Sequence, residues 1–101
     1  MKILKKSSNW KIEFIPAASR EIKKLPKNAR DRIITTIEKI LSINPYAGEL
    51  LKGDFKGYRK FRVGSYRIIY TLEKDRLVVL IIRVAHRIDV YRLPTKISFP
   101  P

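Results

Sequence analysis

Hydrophobic and polar positions along the chain change period twice, and each change marks a boundary between elements. In residues 10–15, WKIEFI, the side chains of Trp10, Ile12 and Phe14 fall on one side with Lys11 and Glu13 opposite. That period of two predicts a half-buried strand. Pro16 follows and suits the first turn of a helix, where its missing N–H has no intrahelical partner to lose. Over residues 17–25 the period lengthens: Ala18, Ile22 and Leu25 recur at spacings of four and three, which predicts a short helix stopped by Pro26. A second helix begins between Pro26 and Ala29, with Asn28 as its expected cap and Asp31 favourable in its first turn. Ala29, Ile33, Ile37, Ile40 and Leu41, joined by Ile34, form its apolar stripe, and Asn44-Pro45 ends it because the residue before proline avoids helical angles. Helices joined by so short a link form an antiparallel hairpin, and stripes of Ile and Leu at this spacing are core.

A loop over residues 46–57 carries Gly48, Gly53 and Gly57, and the period then returns to two. Across residues 58–63, Phe61 and Val63 point one way and Lys60 and Arg62 the other. Gly64-Ser65 has the composition of a two-residue hairpin turn, leading into a strand over residues 65–73. That turn sets Arg62 opposite Arg67 and Lys60 opposite Ile69, with Phe61 and Ile68 sharing the core face. After a turn at Lys74-Asp75, residues 77–82, LVVLII, are continuously apolar, as expected of a central strand covered on both faces. A simple two-residue turn there would put Arg83 and Arg87 on the helix-covered face; a bulge moves them to the other.

The order is β-α-α-β-β-β. It predicts an α+β fold in which a helical hairpin packs on one face of a small, mainly antiparallel four-stranded sheet. Residues 10–92 form the single domain, 1–9 a loose extension, and 93–101, with Pro94, Pro100 and Pro101, a tail unsuited to continuous helix. The length of 101 residues fits one domain.

Composition narrows the function. The chain has no cysteine and one histidine, so it offers no thiolate chemistry, no zinc–thiolate site and no multi-histidine metal site. No apolar run approaches the ~20 residues of a membrane span, and the basic start MKILKKSSNWK lacks the apolar core of a secretory signal. A cytoplasmic protein without metal or cofactor is expected. The net charge of +14 is large for the chain's size, and charge of that magnitude favours polyanions and acidic protein partners. It is concentrated: Lys52, Lys56, Arg59, Lys60, Arg62 and Arg67 lie within sixteen residues that contain Asp54 as their sole acid. Like charges opposed on a sheet repel, so such a cluster implies an anion on that face, and a nucleic-acid backbone fits it.

Metal-free cleavage of RNA needs a group that assists loss of the 2′-hydroxyl proton, positive charge on the phosphorane, and a proton or its equivalent at the leaving 5′-oxygen. Lys60, Arg62, Arg67, Arg87 and Tyr91 supply residue types suited to those roles, with Lys52, Lys56, Arg59 and Arg83 as further backbone-binding cations. His86 has two readings: a strand-end histidine bonded to backbone, or a general acid–base whose pKa lies near neutrality. Glu49 and Asp54, the acids nearest the basic strands, read as loop residues or salt-bridge partners, and Tyr58, Tyr66 and Tyr70 as sheet packing.

The segments LKG (51–53), YRKFRVGSYRIIY (58–70) and VAHRIDVY (84–91) together resemble the RelE/ParE toxin superfamily of toxin–antitoxin systems over roughly residues 10–92. The resemblance implies a toxin that cleaves messenger RNA in the A site of a 70S-type ribosome, leaving 2′,3′-cyclic phosphate and 5′-hydroxyl ends. It implies that Lys60 assists the 2′-hydroxyl, Arg62 and Arg67 hold the scissile phosphate, Arg87 stabilises the leaving oxygen and Tyr91 orients the nucleotide. It further implies a small acidic, RelB-like antitoxin, through which the pair reaches operator DNA. Two departures stand out: Arg62 occupies a position where a second lysine is usual, and the proline-bearing tail replaces a longer C-terminal helix. The rival expectations are a ParE-like poison of DNA gyrase and an inactive remnant that only binds antitoxin. Lys60 with Arg62 and the Val90-Tyr91 ending favour the ribonuclease.

Overall fold

Two tight links set the architecture. Gly64 adopts φ +61°, a left-handed conformation that glycine enters without a Cβ clash, and so closes a two-residue turn between β3 (Arg59–Val63) and β4 (Tyr66–Glu73). The strands pair with Lys60 opposite Ile69, Phe61 opposite Ile68 and Arg62 opposite Arg67, the register expected from the sequence. The computed structural model describes residues 9–86; the N-terminal extension, Arg87, Tyr91 and the tail lie outside the described residues.

The second link differs from expectation. Residues 74–77 make a four-residue connection, and Leu77 belongs to it with φ 56° and 44% exposure instead of opening the strand. β5 (Val78–His86) then pairs antiparallel with β4. Ile69 faces Arg83 while Tyr70 faces Ile81, so Ile82 is the extra residue of a bulge. The bulge puts Arg83 opposite Ile69, on the face away from the helical hairpin, the alternative to a simple turn that the sequence offered.

β1 (Lys11–Phe14) runs parallel to β5 at one edge, from Lys11 opposite Val78 to Phe14 opposite Ile81. At the other edge a two-residue strand, β2 (Glu49–Leu50), pairs with β3. The sheet is therefore mixed and five-stranded, in the order β1-β5-β4-β3-β2, one strand more than expected.

The helices are α1 (Pro16–Lys23) and α2 (Lys27–Thr36), the latter continued by a π-helical turn, Ile37–Leu41. Pro26, not Asn28, stands at the α2 N-cap, and Asp31 pairs with Lys27 at 2.8 Å rather than facing the helix start. A π turn advances less per residue than an α turn, so Leu41 comes back into line above Ile37 and Ile33. All three are fully buried, while Ile40, expected in the stripe, is 40% exposed.

The main core lies between this hairpin and one sheet face. It unites Ala18, Ile22, Ile33, Ile37 and Leu41 with Val63, Ile68, Tyr70, Val79, Ile81 and Val84. A smaller cluster, Ile69, Ile82 and Ala85, packs with Leu51, Tyr58 and Leu80 on the opposite face. The cationic face is thus part basic and part apolar. No helix among the described residues is long and apolar enough to cross a membrane.

Candidate nucleic-acid interface and active site

Strand alternation assembles the basic site. Lys60 and Arg62 on β3 share a face with Ile69 and Arg67 on β4, and Ala85 and Arg83 follow across β5. One row reads Arg62, Arg67, Ala85; the next reads Lys60, Ile69, Arg83. Directly opposed residues have Cβ atoms about 5 Å apart, so the two arginine side chains leave the sheet side by side. Ala85, on the far side of Arg67, is buried with Ile69 and Ile82. Among the described residues neither Arg62 nor Arg67 has a carboxylate partner. Lys60 lies 3.7 Å from the Glu49 carboxylate, which β2 brings beside it. Glu49 is largely exposed, and such a pair contributes about 0–1 kcal/mol. The expectation that Glu49 is a salt-bridge partner holds.

Four of the expected cations have other surroundings. Arg59 alternates with Lys60 and so belongs to the helix-side face. Its guanidinium donates to the Gly48 carbonyl at 2.9 Å and stacks 5.0 Å from the centre of the Tyr46 ring, so it stands apart from Lys60 and Arg62. Arg83 lies on the basic face, but its Nε donates to Glu21 Oε2 at 2.8 Å. Lys52 and Lys56 are exposed at either side of the short 3₁₀ turn Gly53–Phe55, in the link between β2 and β3. His86 faces the helix side, opposite Tyr66 with the rings edge-on at 5.9 Å, so it is turned away from Arg62 and Arg67. Arg87 and Tyr91 fall outside the described residues. No group of three or more metal-ligating side chains gathers among the described residues.

Contacts invisible in the sequence hold the site in place. Tyr70, fully buried, donates its hydroxyl to the Pro45 carbonyl at 2.7 Å and accepts the Gly48 N–H at 2.9 Å. With Arg59 it fixes the loop that leads into β2. At the other edge β1 stops at Phe14, and Glu21 of α1 takes over: Oε1 accepts the Val84 N–H at 2.8 Å while Oε2 holds Arg83. No spacing rule in the sequence links Glu21 to residues more than sixty positions away.

Burial pushes the Tyr58 phenol up to about 12, and burial also raises Tyr70, partly offset by the Gly48 hydrogen bond and the charge of Arg59. Both phenols hold their proton more tightly folded than unfolded. Their contribution to stability is complete below the unfolded value near 10 and is lost above it, for Tyr58 as pH rises through about 12. Urea denaturation followed across alkaline pH should therefore show stability falling above about pH 10, with a Tyr58→Phe variant falling less.

The family model described as the ParE toxin of type II toxin–antitoxin systems matches residues 12–91, most of the chain. The chain belongs to the RelE/ParE toxin family. Toxin RelG of Mycobacterium tuberculosis is 31% identical over 84 residues, covering 82% of this chain and 97% of that one. Toxin RelE of the same organism is 27% identical over 85 residues, covering 83% of this chain and 88% of its own length. Among solved structures, the RelBE toxin–antitoxin complex from M. tuberculosis matches with a TM-score of 0.74 at 29% identity, covering 78% of this chain and 92% of that chain. A substituted E. coli RelE in the free state matches with a TM-score of 0.66 at 23% identity, covering 77% and 83%, a likeness of fold. The two-helix, mixed-sheet architecture is that of RelE toxins, and the basic face is a feature of this toxin's own sequence.

Proposed function

We propose that the protein is an endoribonuclease toxin that cuts messenger RNA on the ribosome without a metal ion. The observation that supports this most is the convergence of Lys60, Arg62 and Arg67 on one sheet face, the two arginines directly opposed and without carboxylate partners among the described residues. In the proposed reaction the 2′-oxygen attacks phosphorus and forms a bond to it, and the bond to the 5′-oxygen breaks. The products are a 2′,3′-cyclic phosphate and a 5′-hydroxyl. Lys60 assists departure of the 2′-hydroxyl proton. Arg62 and Arg67 neutralise the extra charge on the phosphorane, a task that suits a group always ionised and able to grip two oxygens. Arg87 and Tyr91, assigned from the sequence resemblance, complete the site by serving the leaving oxygen, which takes up a proton, and by orienting the nucleotide.

The sparse acid–base equipment of the face gives the ribosome a part in the chemistry, through positioning of the message. On this reading the protein acts in the cytoplasm. The toxin's partner is an acidic antitoxin whose carboxylates cover the basic face while an amphipathic helix lies on apolar surface. The solved M. tuberculosis relative in complex with its antitoxin supports that pairing.

The description of the matching family model keeps a second reading in view, a ParE-like gyrase poison. Primer extension on a translated message run beside a gyrase DNA-cleavage assay separates the two. The ribonuclease reading predicts new message ends and no gyrase-dependent breaks; the reverse result selects the poison, and growth without arrest on induction selects an inactive remnant.

A further inference from the structure

The tip of the β3–β4 hairpin brings a third guanidinium to the end of the basic face. Gly64 occupies the turn without a side chain, and Arg32 of α2 lies against it. A Cβ on Gly64 would come 3.3 Å from Arg32 Nη1 and 3.6 Å from both Cζ and Nη2. Glycine here thus serves the approach of Arg32 as well as the positive φ. Arg62 precedes Gly64 by two residues, so their Cα atoms lie within about 7 Å. Arg67, opposite Arg62, leaves the same turn on the other strand. Arg62 and Arg67 come to the tip from the sheet face and Arg32 from the helical layer.

Nothing among the described residues uses the charge of Arg32. The residue is exposed, and its guanidinium has no hydrogen bond or ion pair there. Asp31, its neighbour on α2, pairs with Lys27 at 2.8 Å, and no acid occurs from Phe55 to Leu72. Three guanidinium groups at one tip without a carboxylate repel one another until an anion joins them. A single phosphate held between Arg62 and Arg67 does not extend round the turn to Arg32. A phosphodiester strand supplies charges in series, so its next phosphate can follow the turn towards α2.

We propose that Arg32 is a further RNA-binding residue, which holds a phosphate neighbouring the one at Arg62 and Arg67 as the strand passes over the hairpin tip. The inference rests on the RNA reading of the basic face, but its test needs neither cleavage nor the ribosome. The full-length protein is titrated with a short single-stranded RNA whose 2′-oxygens are methylated, so that it cannot be cut. Binding is followed by fluorescence anisotropy at several salt concentrations. Each phosphate contact on a single strand adds about 0.7 to the steepness of log affinity against log salt. Arg32→Gln should lower that slope by about 0.7, weakening binding about eightfold at roughly 50 mM salt and about threefold at roughly 200 mM. Arg32→Lys keeps a cation at the position and should keep the slope. Arg67→Ala should lower the slope as well. Lys74→Gln removes an equal charge beyond the far end of β4, about 23 Å from the tip, and should leave the slope unchanged. An unchanged slope in Arg32→Gln beside a reduced one in Arg67→Ala would overturn the Arg32 contact and leave the RNA reading standing. Unchanged slopes in both would overturn the two together. A slope lowered equally by Arg32→Gln and Lys74→Gln would reduce the effect to net charge and overturn the contact too.

Discussion

Replacing Arg67 with alanine should lower cleavage of translated message by about 10²–10³-fold, the usual loss for one transition-state donor, while leaving thermal stability intact. The separation of the two effects follows from where the side chain lies. Arg67 stands directly opposite Arg62, a like-charge pair that costs stability, and neither has a carboxylate partner among the described residues. Removing one guanidinium relieves that repulsion and breaks no ion pair among the described residues. Arg67→Lys keeps the charge but gives up the two-pronged grip on phosphate, so its activity should fall between wild type and alanine. Single-turnover cleavage measured beside thermal denaturation checks both halves. A fully active, normally melting Arg67→Ala protein would move the chemistry off this face.

Gly48→Ala should be the most damaging conservative change in the loops. A Cβ there would meet the Tyr70 hydroxyl at 2.6 Å and the Lys60 carbonyl at 2.8 Å. Neither neighbour yields easily, since Tyr70 is wholly buried and Lys60 lies in β3. The strain of such overpacking costs about 1–3 kcal/mol. If the loop moves away instead, the Tyr70 hydroxyl, Gly48 N–H and Pro45 carbonyl lose their mutual hydrogen bonds, a further penalty of about 1–3 kcal/mol for buried groups left unpaired. Against a typical domain stability of about 5–15 kcal/mol, that is a large fraction. Glu49 follows directly in the chain, so the same shift withdraws β2 from Lys60. Gly53→Ala is the matched control. Its φ of +65° makes alanine unfavourable by roughly 1–2 kcal/mol, but a Cβ there meets nothing within 4 Å. Urea midpoints for the two variants should rank Gly48→Ala as the less stable.

What the sequence disclosed was what local rules determine. A two-residue turn at Gly64-Ser65 admits one register, so the opposition of Arg62 to Arg67 was legible in the order of residues alone. A bulge in the last strand was legible as the remedy for a simple turn that would aim Arg83 at the helices, but its place at Ile82 was not. Charge clustering was a poorer guide, since counting cations does not say which face each one takes. Arg59 and His86 lie next to site residues in the chain, and alternation turns both to the helix side. β2 escaped notice because two residues carry no periodicity. The grip of Tyr70 on the 45–48 loop and of Glu21 on the edge of β5 are tertiary contacts, for which no local pattern exists.

The most direct test of the central claim is the chemistry of the ends left on a message translated in the presence of the wild-type protein and of Arg67→Ala. Attack by the 2′-oxygen, promoted by cations on the β3–β4 face, predicts 2′,3′-cyclic phosphate and 5′-hydroxyl ends at ribosome-bound codons, with yield collapsing in the variant. Ends bearing 3′-hydroxyl and 5′-phosphate, or cyclic-phosphate ends formed equally well by Arg67→Ala, would contradict it.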